Sequence, residues 1–155
     1  MTETGIQLID RTRAAARLPE FEGLLRLALT AQSRARAPYS RFNVGAAVLA
    51  GSGAAYPGCN VESASYGATI CAERSAVAGA VAAGESAIVA CVVVTPTAEP
   101  SSPCGICRQL MREFGTEMLV FAASSVSDAV YAARLGDLLP LSFGPANLTE
   151  AQPRD

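Results

Sequence analysis

Three cysteines and one glutamate have the types and spacing to do chemistry together. Cys71 and Glu73 lie in Thr69-Ile70-Cys71-Ala72-Glu73-Arg74-Ser75, and Cys104 and Cys107 in Ser102-Pro103-Cys104-Gly105-Ile106-Cys107-Arg108-Gln109. Each stretch reads as the entry to a helix with thiols in its first turn. A helix N-terminus presents unpaired N–H groups and about half a positive charge, so it favours thiolate over thiol. Two such entries brought together offer Cys71, Cys104 and Cys107 to one metal ion. Three protein ligands with a fourth position left to water is the arrangement of catalytic zinc, whereas structural zinc sites close with four. Glu73, two residues beyond the first ligand, is placed to exchange protons with that water. Taken alone, Cys104-x-x-Cys107 also fits a dithiol redox pair.

Composition narrows the alternatives. The 155 residues contain no histidine, so no Ser-His or Cys-His nucleophile can exist and a metal must be held by Cys, Asp or Glu. All 12 basic residues are arginine, which removes Schiff-base chemistry and the P-loop lysine. The net charge of −2 and pI of about 5.2 show no electrostatic footprint for nucleic acid. Five cysteines, an odd number, argue for a reducing compartment and metal or redox chemistry rather than a disulfide framework. No signal-peptide core and no membrane-spanning run is visible, so a cytoplasmic protein without membrane contact is expected. Half of the residues are hydrophobic and 17% charged, a surplus that points to burial between subunits.

The elements that must position the thiols follow from periodicity. Residues 1–18 are expected to form a mobile arm with weak helical tendency, residues 19–150 a single domain, and residues 151–155 a tail. Phe21, Leu24, Leu25, Ala28 and Leu29 share one face of a helix over 20–36, which Pro38 ends. Phe42 to Ala50 alternates as a strand and turns at Gly51-Ser52-Gly53 into a partner over 54–61, where Pro57 and Gly58 suggest a bulge or an edge. The helix from Cys71 is small on every side, which predicts burial all round, and Gly84 suits its C-terminal stop. Residues 87–95 and 117–123 read as buried strands, and residues 128–134 as strand or short helix. Another short helical piece ends at Leu138-Leu139-Pro140. Cys104 follows Cys71 by 33 residues, enough for a helix, a strand and a loop returning to the same end of the sheet. Helices and strands alternate in this way in a three-layer α/β domain around a mixed sheet.

A ligand-x-Glu followed by Pro-Cys-x-x-Cys is the pattern of zinc nucleoside and nucleobase deaminases, with three cysteines allowed as ligands. The chain resembles the small homotetrameric cytidine deaminases over about residues 20–148. The matching motifs are Pro38-Tyr39-Ser40-Arg41-Phe42-Asn43-Val44-Gly45-Ala46-Ala47, Gly58-Cys59-Asn60-Val61-Glu62, Cys71-Ala72-Glu73-Arg74, Pro103 through Gln109, and Leu138-Leu139-Pro140 through Phe143-Gly144-Pro145. The resemblance implies a three-layer α/β/α fold around a mixed five-stranded sheet. It further implies one Zn2+ per chain on Cys71, Cys104 and Cys107, and hydrolytic deamination of cytidine and 2′-deoxycytidine in pyrimidine salvage. Glu73 would be the proton shuttle, with Arg74 and, similarly, Gln109 bonded to the thiolates. The implied substrate contacts are Phe42 on the pyrimidine, Asn60 and Glu62 on the ribose, and Ala72 through its backbone. Tyr66 and Phe143 would be shared between subunits of a homotetramer, and Tyr39 and Ser102 would border the site.

On residue type alone Phe42 and Phe143 also read as core aromatics, Asn60 as a turn residue, Tyr66 as a surface ring and Arg74 as a solvated arginine. The same fold serves blasticidin-type antibiotics, free cytosine and single-stranded nucleic acid. Asn60-x-Glu62 and Phe143 favour a free nucleoside, and an acidic chain without Trp or Lys lacks the channel of a polynucleotide enzyme. A structural zinc module would want a fourth ligand, and a redox protein would need neither Glu73 nor Cys71.

Overall fold

The computed structural model describes residues 5–150. Six strands form one sheet in the order β1-β6-β5-β4-β2-β3: β1 (Gln7–Asp10), β2 (Gly45–Ala50), β3 (Ala55–Cys59), β4 (Ile88–Thr95), β5 (Leu119–Ser124) and β6 (Ala129–Arg134). Only β4 and β5 pair in parallel. Helices α1 (Arg11–Arg17) and α2 (Phe21–Gln32) cover one face. Helices α3 (Ala72–Ala82), α4 (Gly105–Met111) and α5 (Leu135–Leu138) pack on the other, and α6 (Pro145–Glu150) closes the described chain.

Strand alternation sorts the core into two layers. Ala47 and Leu49 of β2 and Val92 of β4 meet Phe21, Leu24 and Ala28, and the Phe21 and Phe121 rings pack with centroids 5.2 Å apart. Ala46, Val48 and Cys91 face the other way, toward Ala76, Val77, Ala80 and Met111. Residues 128–134 resolve as a strand because their alternate positions, Val130 and Ala132, complete the first layer. Pro57 sits on β3, which pairs only with β2 and is the sheet's edge, where a missing donor costs least.

Three expectations are corrected. The sheet has six strands rather than five, and residues 7–17, expected within a mobile arm, supply the extra strand and a helix. Gln7 to Asp10 pair with Ala129 to Ala132, Ile9 is buried, and Asp10 caps α1 by accepting from Arg13 N at 2.8 Å. Arg11 fastens this segment by donating to the carbonyls of Ser124 and Ser127, both at 3.0 Å. The expected tail over 151–155 and the first four residues lie outside the described residues. Nor is α3 buried all round: Ala76, Val77 and Ala80 face the core, but Val81 is 50% exposed in the single chain. Gly84 does terminate it, at φ +98°, with Glu85 N bonded to Ala80 O and Gly84 N to Val81 O. Among the described residues no helix is long and apolar enough to cross a membrane.

Candidate active site

Register brings the two cysteine-bearing helices together. Gly45 of β2 pairs with Cys59 on one side and Val94 on the other, so β3 and β4 end at the same edge of the domain. The loops leaving those ends enter α3 and α4. Before α3, a two-way bridge between Val61 and Ile70 pinches off the loop (Val61 N to Ile70 O 2.9 Å, Ile70 N to Val61 O 3.0 Å) and delivers Cys71 as the helix N-cap. Gly58 lets α3 lie directly on β3, since a Cβ there would come within 2.3 Å of both Ala72 O and Ala76 N. Before α4, Arg108 reaches back to staple the chain. Its guanidinium donates to Pro103 O (2.7 Å), Ser102 Oγ (2.6 Å) and Leu138 O (2.8 Å), and Cys104 follows as the N-cap.

The Sγ atoms of Cys71, Cys104 and Cys107 all lie within 4.8 Å of one another, with Cys71 to Cys104 at 3.8 Å and Cys104 to Cys107 at 3.5 Å. A tetrahedral centre with bonds of about 2.3 Å has edges of about 3.8 Å, so this donor set fits a zinc ion. Electrostatics favour ionisation at Cys71. Hydrogen bonds from the Cys107 and Cys104 thiols and from Arg74, whose charge adds to them, bring it down to about 5 against the opposing effect of burial. Its bond to Cys71, with burial, pushes the Cys107 thiol well up. Arg74 also donates to Thr69 O at 2.7 Å, which keeps its guanidinium beside the cluster.

A cavity of about 410 Å³, within the usual size range of small-molecule sites, opens beside Cys71 and Cys104. Phe42, Asn60, Glu62, Ala72, Glu73, Thr95 and Ser102 also line it. Glu73 is 4% exposed, and burial pushes its carboxyl above the ordinary range, reinforced by the negative Cys71. Glu62 accepts from Tyr39 N (2.9 Å), Ser40 N (3.1 Å) and the Ser40 hydroxyl. These donors, the hydroxyl foremost, hold it below the ordinary carboxylate range. Asn60 ties Phe42 to Val44: its amide donates to Phe42 O (2.8 Å) and its Oδ1 accepts from Val44 N (2.9 Å).

Comparison with known proteins decides the family. The family model described as the cytidine and deoxycytidylate deaminase zinc-binding region matches residues 19–123. The cytidine deaminase of Sporosarcina psychrophila is 38% identical over 132 residues, covering 85% of this chain and 97% of its own length. The crystal structure of cytidine deaminase from Burkholderia pseudomallei superposes with a TM-score of 0.75 at 44% identity, covering 79% of this chain and 98% of the other. That of the Mycobacterium tuberculosis cytidine deaminase gives 0.70 at 40% identity, with 81% and 98% covered. This chain belongs to the cytidine deaminase family.

Within a single cytidine deaminase chain, not every residue expected at the site reaches the cavity. Tyr66 is 78% exposed, its ring edge-on to Tyr39 at 6.3 Å over an adjoining hollow that also touches Ser40, Glu62 and Thr69. Phe143 is 59% exposed, and its carbonyl accepts from the Gln109 amide at 3.0 Å. Gln109 thus holds the C-terminal segment, where a bond to the thiolates had been expected. Reading the sequence gave no role to Arg108, Ser40 or Thr95. Thr95, 3% exposed, fixes the loop before Cys104 by accepting from Ser101 N at 3.1 Å. The buried Pro103 hints at a loop that must be held; the partners that hold it are distant in sequence.

Proposed function

We propose that this chain catalyses the hydrolytic deamination of cytidine and 2′-deoxycytidine to uridine and 2′-deoxyuridine, releasing ammonia. The observation that carries the reading is three thiols converging from two helix starts, with Cys71, Cys104 and the buried carboxyl of Glu73 lining one cavity. Cys71, Cys104 and Cys107 would hold one zinc ion, which when bound supplies the Lewis acidity that lets a water ionise near neutral pH. Glu73 takes a proton from the attacking water on a carboxylate oxygen and passes it to the ring nitrogen beside the amine-bearing carbon. It then takes the second proton, from the hydroxyl added to that carbon, and gives it to the amine as the C–N bond breaks and ammonia leaves, so one carboxyl serves as base and acid in turn. Its burial suits this exchange, because a carboxyl raised toward neutrality both accepts and releases a proton readily. Ala72 lies against the base, Phe42 on the pyrimidine face, and Asn60 and Glu62 on the sugar. Asn60 keeps one amide hydrogen and one lone pair beyond its bonds to Phe42 and Val44.

The working unit in this proposal is a homotetramer. Supporting it are the exposed Tyr66, over the hollow adjoining the cavity, and the exposed Phe143, with Ile106 (65%), Val81 (50%) and Leu141 also exposed in the single chain. Neighbouring copies would cover these side chains and carry the two aromatics to one another's sites. Five free thiols suit the reducing cytoplasm.

The test is ultraviolet absorbance of zinc-replete protein with cytidine, 2′-deoxycytidine, cytosine and blasticidin S, with ammonia measured in parallel. Loss of the nucleoside signal with matching ammonia, abolished by a chelator, is expected. Activity on cytosine or blasticidin S alone would move the substrate, and silence on all four from a one-zinc chain would overturn the reading. Light scattering that returned a monomer would overturn the tetramer.

A further inference from the structure

Ser40 is exposed, yet its hydroxyl occupies a junction. Ser40 Oγ donates to Glu62 Oε1 and accepts from Phe42 N at 3.0 Å. The second bond is an ordinary serine turn, closed two residues on. The first is not local, because it reaches a carboxylate 22 residues away that lines the cavity. Glu62 Oε2 meanwhile takes Tyr39 N and Ser40 N. A carboxylate has about four lone-pair directions, so three are filled and roughly one remains for a ligand.

The backbone around Ser40 shows that its placement is enforced. Arg41 sits at φ +57°, a left-handed conformation costly for a residue with a long side chain. Such a conformation persists only where neighbours over-determine it. Arg41 N bonds to Ala37 O at 2.9 Å on one side, and the Ser40 hydroxyl bonds Phe42 N across the other. The turn is closed by Arg41 N without any help from the hydroxyl, so the hydroxyl's particular contribution is to join Phe42 to Glu62.

We propose that Ser40 is a positioning residue for substrate: its hydroxyl locks the Glu62 carboxylate in register with Phe42, leaving one lone-pair direction aimed at a sugar hydroxyl of the nucleoside. This rests on the reading of Glu62 as the sugar contact. The bond that orients Glu62 also keeps it ionised, hence acceptor-only toward the sugar.

The test compares zinc-replete parent, Ser40→Ala, Ser40→Thr, Glu62→Gln and the Ser40→Ala/Glu62→Gln double variant on cytidine and on 2′,3′-dideoxycytidine, which lacks the 2′- and 3′-hydroxyls. Ser40→Ala is expected to raise KM for cytidine roughly tenfold while kcat changes less than about threefold, the size of one lost charge-assisted bond. Its KM for the dideoxy substrate stays near parental. Ser40→Thr, which keeps the hydroxyl, restores the cytidine KM. In the double variant, removing Ser40 adds nothing to Glu62→Gln. Should Glu62→Gln leave the preference for cytidine over the dideoxy substrate unchanged, Glu62 is not the sugar contact and the proposal falls with that reading. If Glu62→Gln reduces the preference while Ser40→Ala does not, Glu62 keeps its role and Ser40 loses the one proposed. Equal losses of kcat on both substrates, or additive effects in the double variant, would make Ser40 merely structural and overturn the proposal.

Discussion

Gly58→Ala tests whether the metal site depends on how closely α3 lies on β3. A Cβ at residue 58 would sit 2.3 Å from Ala72 O, 2.3 Å from Ala76 N and 2.9 Å from Ala76 Cα, all backbone atoms that no side-chain rotation can move away. Ordinary contact begins at 3.4 Å, so strand and helix must separate by about 1 Å. If the helix yields, Cys71 moves with it, and zinc–ligand distances tolerate only about 0.2 Å. If the edge strand yields instead, Asn60 and Glu62 are displaced from the cavity. Overpacking of this kind costs roughly 1–3 kcal/mol, which for a chain of this size lowers Tm by about 2–12 °C. Zinc affinity, measured by competition with a chromogenic chelator, is expected to fall at least tenfold, and kcat/KM with it. Gly23→Ala in α2 is the control, because no atom lies within 4 Å of that Cβ and alanine favours a helix. It should hold zinc as the parent does and melt no lower. A Gly58→Ala protein with parental zinc affinity and parental Tm would refute the argument that this contact sets the position of Cys71.

Glu73→Gln should keep one zinc per chain and lose about 10⁴-fold in kcat, since each proton transfer contributes ~10²–10⁴. The other carboxylate lining the cavity, Glu62, is already bound by Tyr39 and Ser40 and cannot replace it; near-normal turnover would remove Glu73 from the mechanism. Cys104→Ala should lose zinc, measured by elemental analysis, and melt lower; one retained zinc per chain would show the ligand set to be wrong. For pH, the Glu62 carboxyl is lowered on folding from an ordinary value of 4.5. Its contribution to stability is therefore present above about pH 4.5 and lost as pH falls through the lower folded value, so Glu62→Gln should flatten that part of the acid-unfolding curve. An unchanged curve would show the Tyr39 and Ser40 bonds to be without consequence for stability.

What was legible beforehand depended on how local each determinant is. Cys71, Cys104 and Cys107 declare themselves by type, and the 33-residue interval between helix starts is enough to place them at one end of a sheet. Helix α2 and strand β4 are legible for the same reason, since periodicity is a property of a short window. Strand β1 has four residues and a single buried one, Ile9, and exists because β6, more than a hundred residues away, offers it an edge. No local pattern announces that pairing. Arg108 and Gln109 are adjacent in sequence and point to different tasks, one stapling the metal loop and the other holding Phe143. A sequence assigns an arginine a charge and a reach, but its acceptors, here Pro103, Ser102 and Leu138, come from the fold.

The absence of histidine sets an electrostatic problem that the surrounding groups address. Three thiolates around a divalent ion leave a net charge of −1, which would weaken the ion as a Lewis acid and repel a carboxylate placed beside it. Cys71 and Cys104 both occupy N-cap positions, at the positive ends of the helix dipoles. Arg74 brings a full positive charge to Cys71 while its other end is held on Thr69 O, so the charge cannot drift into solvent. Its Nε is buried without a hydrogen-bond partner. The negative Cys71 that Arg74 offsets adds to burial in raising Glu73. One arrangement thus serves two purposes: Arg74 and the helix starts offset negative charge at the thiols, and burial, reinforced by Cys71, keeps the Glu73 carboxyl able to take up a proton.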